Sequence, residues 1–167
     1  MMAEVLFGGK PVQLLGEEVN VGDKAPEFTA VDQDLNVVHS SKWNNKVRLI
    51  ASVPSIDTGV CDAETRRFNE EATILPGVQV VTISADLPFA QKRWCAAAGI
   101  ENLEVLSDHR DFSFGNAFGV HMKDIRLLAR AVFVIDSSNT ITYKEIVHNV
   151  HEHPDYEKAI QAAKEAK

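Results

Sequence analysis

The chain has 167 residues, of which 45% are hydrophobic and 25% are charged, and its formal net charge is -7. A chain of this length can bury a hydrophobic core without disulfides or structural metals, so we expect one domain spanning residues 1–167. The negative charge argues against nucleic acid or an anionic membrane surface as the main partner. No apolar run approaches the roughly 20 residues that cross a bilayer, and the N-terminal segment lacks the basic and apolar regions of a signal peptide. We therefore expect a cytoplasmic protein that binds neither nucleic acid nor membranes.

The first part of the chain predicts a β-hairpin and a further extended segment. Residues 5–7 and 10–15 are rich in apolar side chains and flank Gly8-Gly9, a pair that favours a tight hairpin turn. An extended segment is predicted at 27–31. A short helical turn is predicted at 40–43, where two serines can cap it.

The apolar run at 47–53 predicts a buried strand, and residues 54–61 (PSIDTGVC) join it to a helix. One face of that helix repeats at intervals of three and four residues: Cys61, Thr65, Phe68, Ala72 and Leu75. Pro76-Gly77 ends the pattern. The polar residues between these positions are predicted to face water: Asp62, Glu64, Arg66, Arg67, Asn69, Glu70 and Glu71. Cys61 therefore begins the buried face, and we expect its sulfur to face a pocket.

Strands continue to alternate with helices in the rest of the chain. A strand at 78–84 precedes a helix that Asp86 can cap, that has Pro88 in its first turn and that ends at Gly99. The remaining elements are predicted in this order: a strand at 103–106, a short helix at 112–118, a hairpin of strands 127–135 and 140–147 around the turn 137–139, and an amphipathic helix at 154–167. This order indicates an α/β fold with a mixed sheet.

Cys61 is the first candidate for a reactive group. Its position at a helix N-terminus, near free backbone N–H groups and the positive end of the helix dipole, favours a thiolate. Thr58 lies three residues earlier, where its side-chain oxygen can accept the Cys61 N–H while its hydroxyl hydrogen points at the thiolate or a ligand. Pro54 has no N–H and suits the wall of a small pocket. Two less specific alternatives remain, namely that Cys61 is a small buried hydrophobe and that Thr58 is only a helix cap.

A thiolate in a partly buried pocket needs a neighbouring cation, and Arg130 is the best candidate. It lies within the apolar segment 127–135, where an arginine is rarely buried without an anionic partner. Arg126 is a weaker candidate because it lies nearer the preceding loop. Arg66 and Arg67 are on the polar face of their helix and are predicted to be solvated.

The second cysteine, Cys95, lies on the next predicted helix. Position 64 holds a glutamate, so Cys61 is not part of a C-x-x-C dithiol. A bond between the two cysteines would close a loop of about 35 residues and would require one or both helix ends to rearrange. In a reducing cytoplasm such a pair is more often catalytic or redox-active than structural. The alternative is that Cys95 packs in its helix beside Trp94.

Three histidines lie close together near the C-terminus: His148, His151 and His153. They fall in a strand-to-helix loop without an established metal-ligand spacing, so we interpret them as solvated loop residues. The sequence also has no glycine-rich phosphate loop and no nucleotide-binding fingerprint. We therefore expect neither a metal nor a bound cofactor.

Four residues resemble the peroxiredoxin signature, P-x-x-x-T-x-x-C with a distant arginine: Pro54, Thr58, Cys61 and Arg130. The resemblance is closer to the thiol peroxidase subgroup, and these stretches carry it: 54–61, 84–91 (SADLPFAQ) and 129–132 (ARAV). The N-terminal hairpin also fits that subgroup, and the similarity covers the whole chain. The loop at 121–125 matches the subgroup's pattern poorly. No cysteine follows Cys95, so the C-terminal resolving tail of the typical two-cysteine peroxiredoxins is absent.

The resemblance implies a thioredoxin-like fold, with a central mixed sheet flanked by helices and an N-terminal β-hairpin. It implies that the Cys61 thiolate reduces hydrogen peroxide or an organic hydroperoxide and becomes a sulfenic acid. Cys95 would resolve this acid as an intramolecular disulfide, and thioredoxin would reduce the disulfide. Thr58 would orient the peroxide, and Arg130 would stabilise the charge that develops. Members of the subgroup act in antioxidant defence, need no metal, haem or flavin, and are commonly homodimers.

Two other functions are compatible with parts of this pattern. A peroxide sensor would signal through the same disulfide, and only turnover with a reductant separates it from an enzyme. A metal-binding or structural thioredoxin-like module would retain its function after Cys61→Ser and would form no sulfenic acid.

Overall fold

A computed structural model describes residues 3–167. Residues 1 and 2 lie outside the described residues. The expected domain and the N-terminal segment considered above as a signal peptide both begin there. Within residues 3–167, no helix has both the length and the apolar character needed to cross a membrane.

Strands and helices alternate through the described chain. The strands are β1 (Glu4–Phe7), β2 (Lys10–Leu15), β3 (Thr29–Val31), β4 (Val37–His39), β5 (Val47–Ser52), β6 (Val78–Ser84), β7 (Glu104–Ser107), β8 (His121–Met122), β9 (Leu127–Leu128), β10 (Ala131–Ile135) and β11 (Ile141–Ile146). The helices are α1 (Gly59–Ala72), α2 (Pro88–Ala98), α3 (Ser113–Ala117) and α4 (Tyr156–Glu165), with a 3-10 turn at Ser40–Trp43. Apart from the segment 127–135, the predicted elements are present, with ends shifted by a few residues.

The central sheet is mixed, as predicted. Its strands lie in the order β11-β10-β5-β6-β7-β3-β4. The three central strands, β5, β6 and β7, are parallel, whereas their outer neighbours pair antiparallel. Strands β5 and β6 are buried for most of their length, and apolar residues outnumber polar ones in both. The carboxyl ends of these parallel strands lead into α1 and α2, which carry the two cysteines.

A smaller sheet covers one end of the fold, in the order β1-β2-β8-β9. The predicted hairpin forms β1 and β2, and Gly8 and Gly9 adopt positive φ angles of 60° and 79° in its turn. Strand β2 pairs with β8 through Leu14 and Met122. The segment 121–125, which departs from the thiol peroxidase pattern, therefore lies against the N-terminal hairpin.

The predicted strand at 127–135 is wrong as a single element. Its first part, β9, belongs to the small sheet, and its second part, β10, belongs to the central sheet. At the junction, the Ala129 N–H donates to Val120 and the Arg130 carbonyl accepts from Val147. The backbone changes partners at this point, so the Arg130 side chain lies where the two sheets meet.

The core has two layers, one on each face of the central sheet. On one face, Leu49 and Ala51 of β5 pack with Phe68 of α1 and with Ala159 and Ile160 of α4. The alternate residues of the same strands face the second layer, which is rich in phenylalanine and extends beneath the small sheet. Both faces of the central strands are thus buried, and the ends of these strands lead into the loops that hold the functional groups.

Helix α2 begins and ends as predicted, but Asp86 does not cap it. Leu87 is the N-cap residue, Pro88 occupies the first turn, and Gly99 ends the helix with a φ of 69°. The Asp86 carboxylate instead accepts hydrogen bonds from three residues that precede it in the chain: Ser55, Ile56 and Ser84.

Candidate active site

Cys61 lies in the first turn of α1, immediately beyond the carboxyl end of β5. Its residue is fully buried, with 0% of its surface exposed, and it packs with Val53, Ile56 and Trp94. Thr58 is the N-cap residue, and its carbonyl accepts the Asp62 N–H at 2.8 Å. The structure thus places the sulfur in a small apolar cluster at a helix N-terminus, as the sequence predicts.

Arg130 is brought against Cys61 from the junction of the two sheets. Its Nη2 donates to Cys61 Sγ at 3.2 Å, and the arginine is only 2% exposed. Its Nε donates to the Val150 carbonyl at 2.8 Å, and its Nη1 donates to Glu64 Oε1 at 3.0 Å. Three partners therefore fix the guanidinium plane, and its positive charge lies beside the sulfur.

Glu64 corrects the prediction for the polar face of α1. The sequence predicts that it faces water, but it is 0% exposed and forms a buried ion pair with Arg130. Burial raises the pKa of the Glu64 carboxyl to about 7, whereas the adjacent Arg130 charge and hydrogen bond act in the opposite direction. The sequence contains a signal for this contact, because position 64 is one turn from Cys61 and Arg130 needs an anionic partner.

Thr58 has the predicted position but not the predicted hydrogen bond. Its side chain does not cap α1; its Oγ1 donates instead to the Ser55 carbonyl at 3.2 Å. The bond to Ser55 closes the loop before the helix, and Thr58 remains exposed. Pro54 is buried directly after β5, beside the apolar cluster around Cys61. An orienting role for Thr58 and a pocket-wall role for Pro54 stay predictions.

The other arginines considered as a cation for Cys61 have different partners. Arg126 is exposed, and its guanidinium lies 4.8 Å from the centre of the Phe112 ring. Arg66 pairs with Asp62, and Arg67 pairs with Glu71 at 3.0 Å, each within α1. Their side chains are 49% and 40% exposed, respectively, in agreement with the prediction that they are solvated.

Cys95 is also a free thiol, in separate surroundings. It is 7% exposed and lines a cavity of about 350 Å³ that also includes Asp32, Lys42 and Glu104. Gln33 Nε2 donates to Cys95 Sγ at 3.3 Å. Burial raises the pKa of the Cys95 thiol, and the Gln33 hydrogen bond opposes this effect. No sequence signal singles out Gln33, because it approaches from a loop that is 62 residues away along the chain.

Trp94 connects the surroundings of the two cysteines. Its ring packs against the Cys61 cluster, and its Nε1 donates to Asp62 Oδ2 at 3.2 Å. Cys95 follows it directly in α2 but faces the other cavity. The N-terminal part of α1 and the middle of α2 are therefore neighbours. A bond between Cys61 and Cys95 requires at least one of the two sulfurs to leave its present surroundings.

The three C-terminal histidines are exposed, as predicted. His151 Nε2 accepts the Gly8 N–H at 3.0 Å, and His153 Nδ1 lies 2.6 Å from the Tyr156 hydroxyl. Among residues 3–167, no group of three or more histidine, cysteine or carboxylate side chains is arranged to hold a metal ion.

The amino-acid sequence is similar to those of known proteins. Residues 20–160 match the Redoxin family. The thiol peroxidase of Halalkalibacterium halodurans is 62% identical over 165 residues, which cover 99% of each chain. The thiol peroxidase of Bacillus subtilis is 58% identical over 163 residues, which cover 98% of each chain.

Solved structures give the same result for the fold. A peroxiredoxin-like protein from Aquifex aeolicus is 40% identical, with a TM-score of 0.91 and 98% coverage of both chains. A thiol peroxidase from Chromobacterium violaceum is only 21% identical, yet its TM-score is 0.87 with 97% of this chain and 95% of that chain covered, which supports the fold alone. The predicted thioredoxin-like fold is confirmed. The chain belongs to the Redoxin family and, within it, to the thiol peroxidase subgroup of the peroxiredoxins.

Proposed function

We propose that the chain is a thiol-dependent peroxidase that reduces hydrogen peroxide and organic hydroperoxides through Cys61 and Cys95. One observation carries the proposal: the sulfur of Cys61, at the N-terminus of α1, accepts a hydrogen bond from a buried arginine at 3.2 Å. The identity of 58–62% with two thiol peroxidases supports the same reaction.

In the first step, the Cys61 thiolate attacks the terminal oxygen of the peroxide. A sulfur–oxygen bond forms and the oxygen–oxygen bond breaks, so that Cys61 becomes a sulfenic acid. The departing oxygen takes a proton and leaves as water or an alcohol. Arg130 lies where it can stabilise the thiolate and the negative charge that develops on the oxygens. Thr58 would orient the peroxide from the mouth of the site, and Pro54 would form its wall.

In the second step, the Cys95 thiolate attacks the sulfur of the Cys61 sulfenic acid. A disulfide forms, and the sulfenic oxygen leaves as water after it takes a proton. Because Cys61 is buried in an apolar cluster and Cys95 lines a separate cavity, a local rearrangement of α1, α2 or their preceding loops comes before this bond. The disulfide protects Cys61 from further oxidation to a sulfinic acid.

In the third step, thioredoxin supplies two electrons and reduces the disulfide by thiol–disulfide exchange. This cycle requires no metal, haem or flavin. A role in antioxidant defence in the cytoplasm and a homodimeric assembly complete the proposal. Both rest on the resemblance to the thiol peroxidases and on the composition of the chain.

A coupled assay tests this function. Thioredoxin, thioredoxin reductase and NADPH are mixed with the protein, and NADPH oxidation is followed after addition of hydrogen peroxide or cumene hydroperoxide. We expect peroxide-dependent turnover in the wild type, and its loss in Cys61→Ser and in Cys95→Ser. A disulfide that forms without NADPH oxidation would favour a peroxide sensor. If neither a disulfide nor turnover is observed, the proposed chemistry is wrong.

A further inference from the structure

The Asp86 carboxylate lies between the segment that precedes Cys61 and the helix that carries Cys95. We call residues 53–58, between β5 and α1, the Cys61 loop. Asp86 accepts two hydrogen bonds from this loop, from Ser55 Oγ at 2.6 Å and from the Ile56 N–H at 2.9 Å. It also accepts from Ser84 Oγ, at the end of β6, at 2.5 Å. One side chain thus holds the Cys61 loop against the end of the central sheet.

The loop side of this contact leads directly to the reactive sulfur. Ile56 is 2% exposed and packs against Cys61, so the bond from its N–H fixes one wall of the sulfur's surroundings. The Ser55 carbonyl accepts from Thr58 Oγ1 at 3.2 Å. Ile56, which packs against Cys61, and Thr58, the N-cap residue of its helix, are therefore positioned through residues that Asp86 holds.

The sheet side leads to α2. Gln91, which is fully buried in α2, donates from Nε2 to Ser84 Oγ at 3.0 Å and to the Leu106 carbonyl at 2.9 Å. The backbone carbonyl of Asp86 accepts from Ser107 Oγ at 2.5 Å. The first half of α2 is thus anchored to the sheet, and it lies one turn before Cys95.

We propose that Asp86 is a positioning residue that holds the Cys61 loop in the conformation that reacts with peroxide, and that its contacts with Ser55 and Ile56 must loosen before the disulfide forms. This inference rests on the proposed function. Hydrogen bonds to a carboxylate are about twice as strong as those between neutral groups. The two from the loop, with the third from Ser84 that anchors the Asp86 side chain to the sheet, therefore favour this conformation, which we call the closed loop. Since Cys61 is fully buried in that conformation, the same contacts oppose its approach to Cys95.

This role predicts opposite effects on two steps of the reaction. In Asp86→Ala, a smaller fraction of the protein has the closed loop, so the reaction of Cys61 with peroxide slows by about tenfold. The subsequent disulfide forms at least about threefold faster, because less free energy is needed to open the loop. The fraction of Cys61 that is oxidised to sulfinic acid at high peroxide concentration falls accordingly. A purely structural role would slow both steps together or change neither.

The two steps are measured by rapid quenching with a thiol-blocking reagent, followed by mass analysis of Cys61 and Cys95. Asp86→Asn retains an oxygen that can accept from the Ile56 N–H but lacks the charge and the second acceptor oxygen, and we expect it to recover part of the wild-type rates. Asp136→Ala is the matched control, since its carboxylate accepts from the Ser138 and Thr140 N–H groups in the β10–β11 turn, beyond the opposite end of β5. We expect the control to change neither step.

Wild-type rates for both steps in Asp86→Ala, or a parallel decrease of both steps, would overturn the inference. If Asp86→Ala does not fold, Ser55→Ala removes the contact with Asp86 at 2.6 Å, together with the bond that Ser55 Oγ accepts from the Asp57 N–H at 3.1 Å. This variant must show the same divergence to a smaller extent. The proposed function is judged separately on the wild type: it fails if the wild type forms no sulfenic acid or disulfide, or if its disulfide forms without turnover in the coupled assay.

Discussion

Arg130 and Cys61 are separated by 69 residues of sequence, yet the guanidinium of Arg130 donates to the Cys61 sulfur at 3.2 Å. Both residues are almost completely hidden from solvent. The same guanidinium pairs with Glu64 at 3.0 Å. Cys61, Glu64 and Arg130 therefore form one charged cluster in an apolar environment. A substitution of any one of these three side chains therefore changes the electrostatic environment of the other two.

The charge of Arg130 should matter more to the reaction than to folding, provided that Glu64 is not left without a partner. The double variant Arg130→Met, Glu64→Gln removes both charges and keeps most of the volume. We expect its reaction with peroxide to slow by about 100-fold, as when a donor to a developing negative charge is lost, while its unfolding free energy stays close to that of the wild type. Stopped-flow kinetics and urea denaturation measure the two effects. Arg126→Met is the control, and a rate as low as that of the double variant would identify Arg126 as the required cation.

The two glutamates of α1 that pair with arginines should contribute very differently to stability. Glu64→Ala leaves the Arg130 charge buried without its partner, which we expect to cost about 3–5 kcal/mol of unfolding free energy. Glu71→Ala breaks the partly exposed pair with Arg67 and should cost less than about 1 kcal/mol. Urea denaturation of both variants at neutral pH makes the comparison. Similar losses in the two variants would contradict the buried position of Glu64.

The rate of disulfide formation should depend on the protonation of Cys95 as well as on the opening of the Cys61 loop. Burial raises the pKa of this thiol, so the thiolate fraction and the rate of disulfide formation should increase as the pH rises from 6 to 9. Gln33→Ala removes the N–H that favours the thiolate, and we expect disulfide formation to slow by about threefold at pH 7 and by less at higher pH. Quenched samples analysed by mass give the rates. Gln161→Ala, on the exposed face of α4, is the control, and equal rates in Gln33→Ala and wild type at pH 7 would argue against a role for Gln33.

Stability should decrease as the pH rises through the range in which Asp108 ionises. Burial raises the pKa of this carboxyl to about 7, against the hydrogen bonds that it accepts from the Phe114 and Gly115 N–H groups, whereas its ordinary value is 3.8. Between those values the folded state binds more protons than the unfolded state, so the unfolding free energy falls as the pH rises from about 4 to about 7 and then levels off. The raised pKa of Glu64 acts in the same direction.

Asp108→Asn should make this dependence shallower without removing it, because Glu64 still contributes. Denaturation at pH 4.5, 5.5, 6.5 and 7.5 tests the prediction. A wild-type stability that rises across this range would show that Asp108 is ionised in the folded state throughout.

Local patterns were sufficient to predict most of the fold. The hairpin turn at Gly8-Gly9, the end of α2 at Gly99 and the buried strands β5 and β6 each depend on residues that are close together in sequence. The segment 127–135 is wrong as one strand because its division depends on pairing partners elsewhere, namely β8 and β5. Apolar character alone does not show that a strand changes sheets at Arg130.

In the candidate site, too, local patterns are predictable from the sequence and contacts between distant segments are not. Cys61 and Arg130 are recognisable because a cysteine at a helix N-terminus and an arginine in an apolar segment are each unusual for their surroundings. The predictions for Glu64 and Asp86 are wrong. A carboxylate on the polar face of a helix usually faces water, and one just before a helix usually caps it. Their actual positions depend on partners contributed by distant segments, which only the folded chain brings together.

The central claim is that Cys61 is the group that peroxide oxidises and Cys95 the group that resolves it. Mass analysis of wild type and Cys95→Ser after treatment with one equivalent of peroxide, with a reagent that traps sulfenic acids, tests it most directly. The account predicts an internal Cys61–Cys95 disulfide in the wild type and a trapped sulfenic acid at Cys61 in the variant. Equal oxidation at both thiols of the wild type without a disulfide, or no oxidation at Cys61, would contradict it.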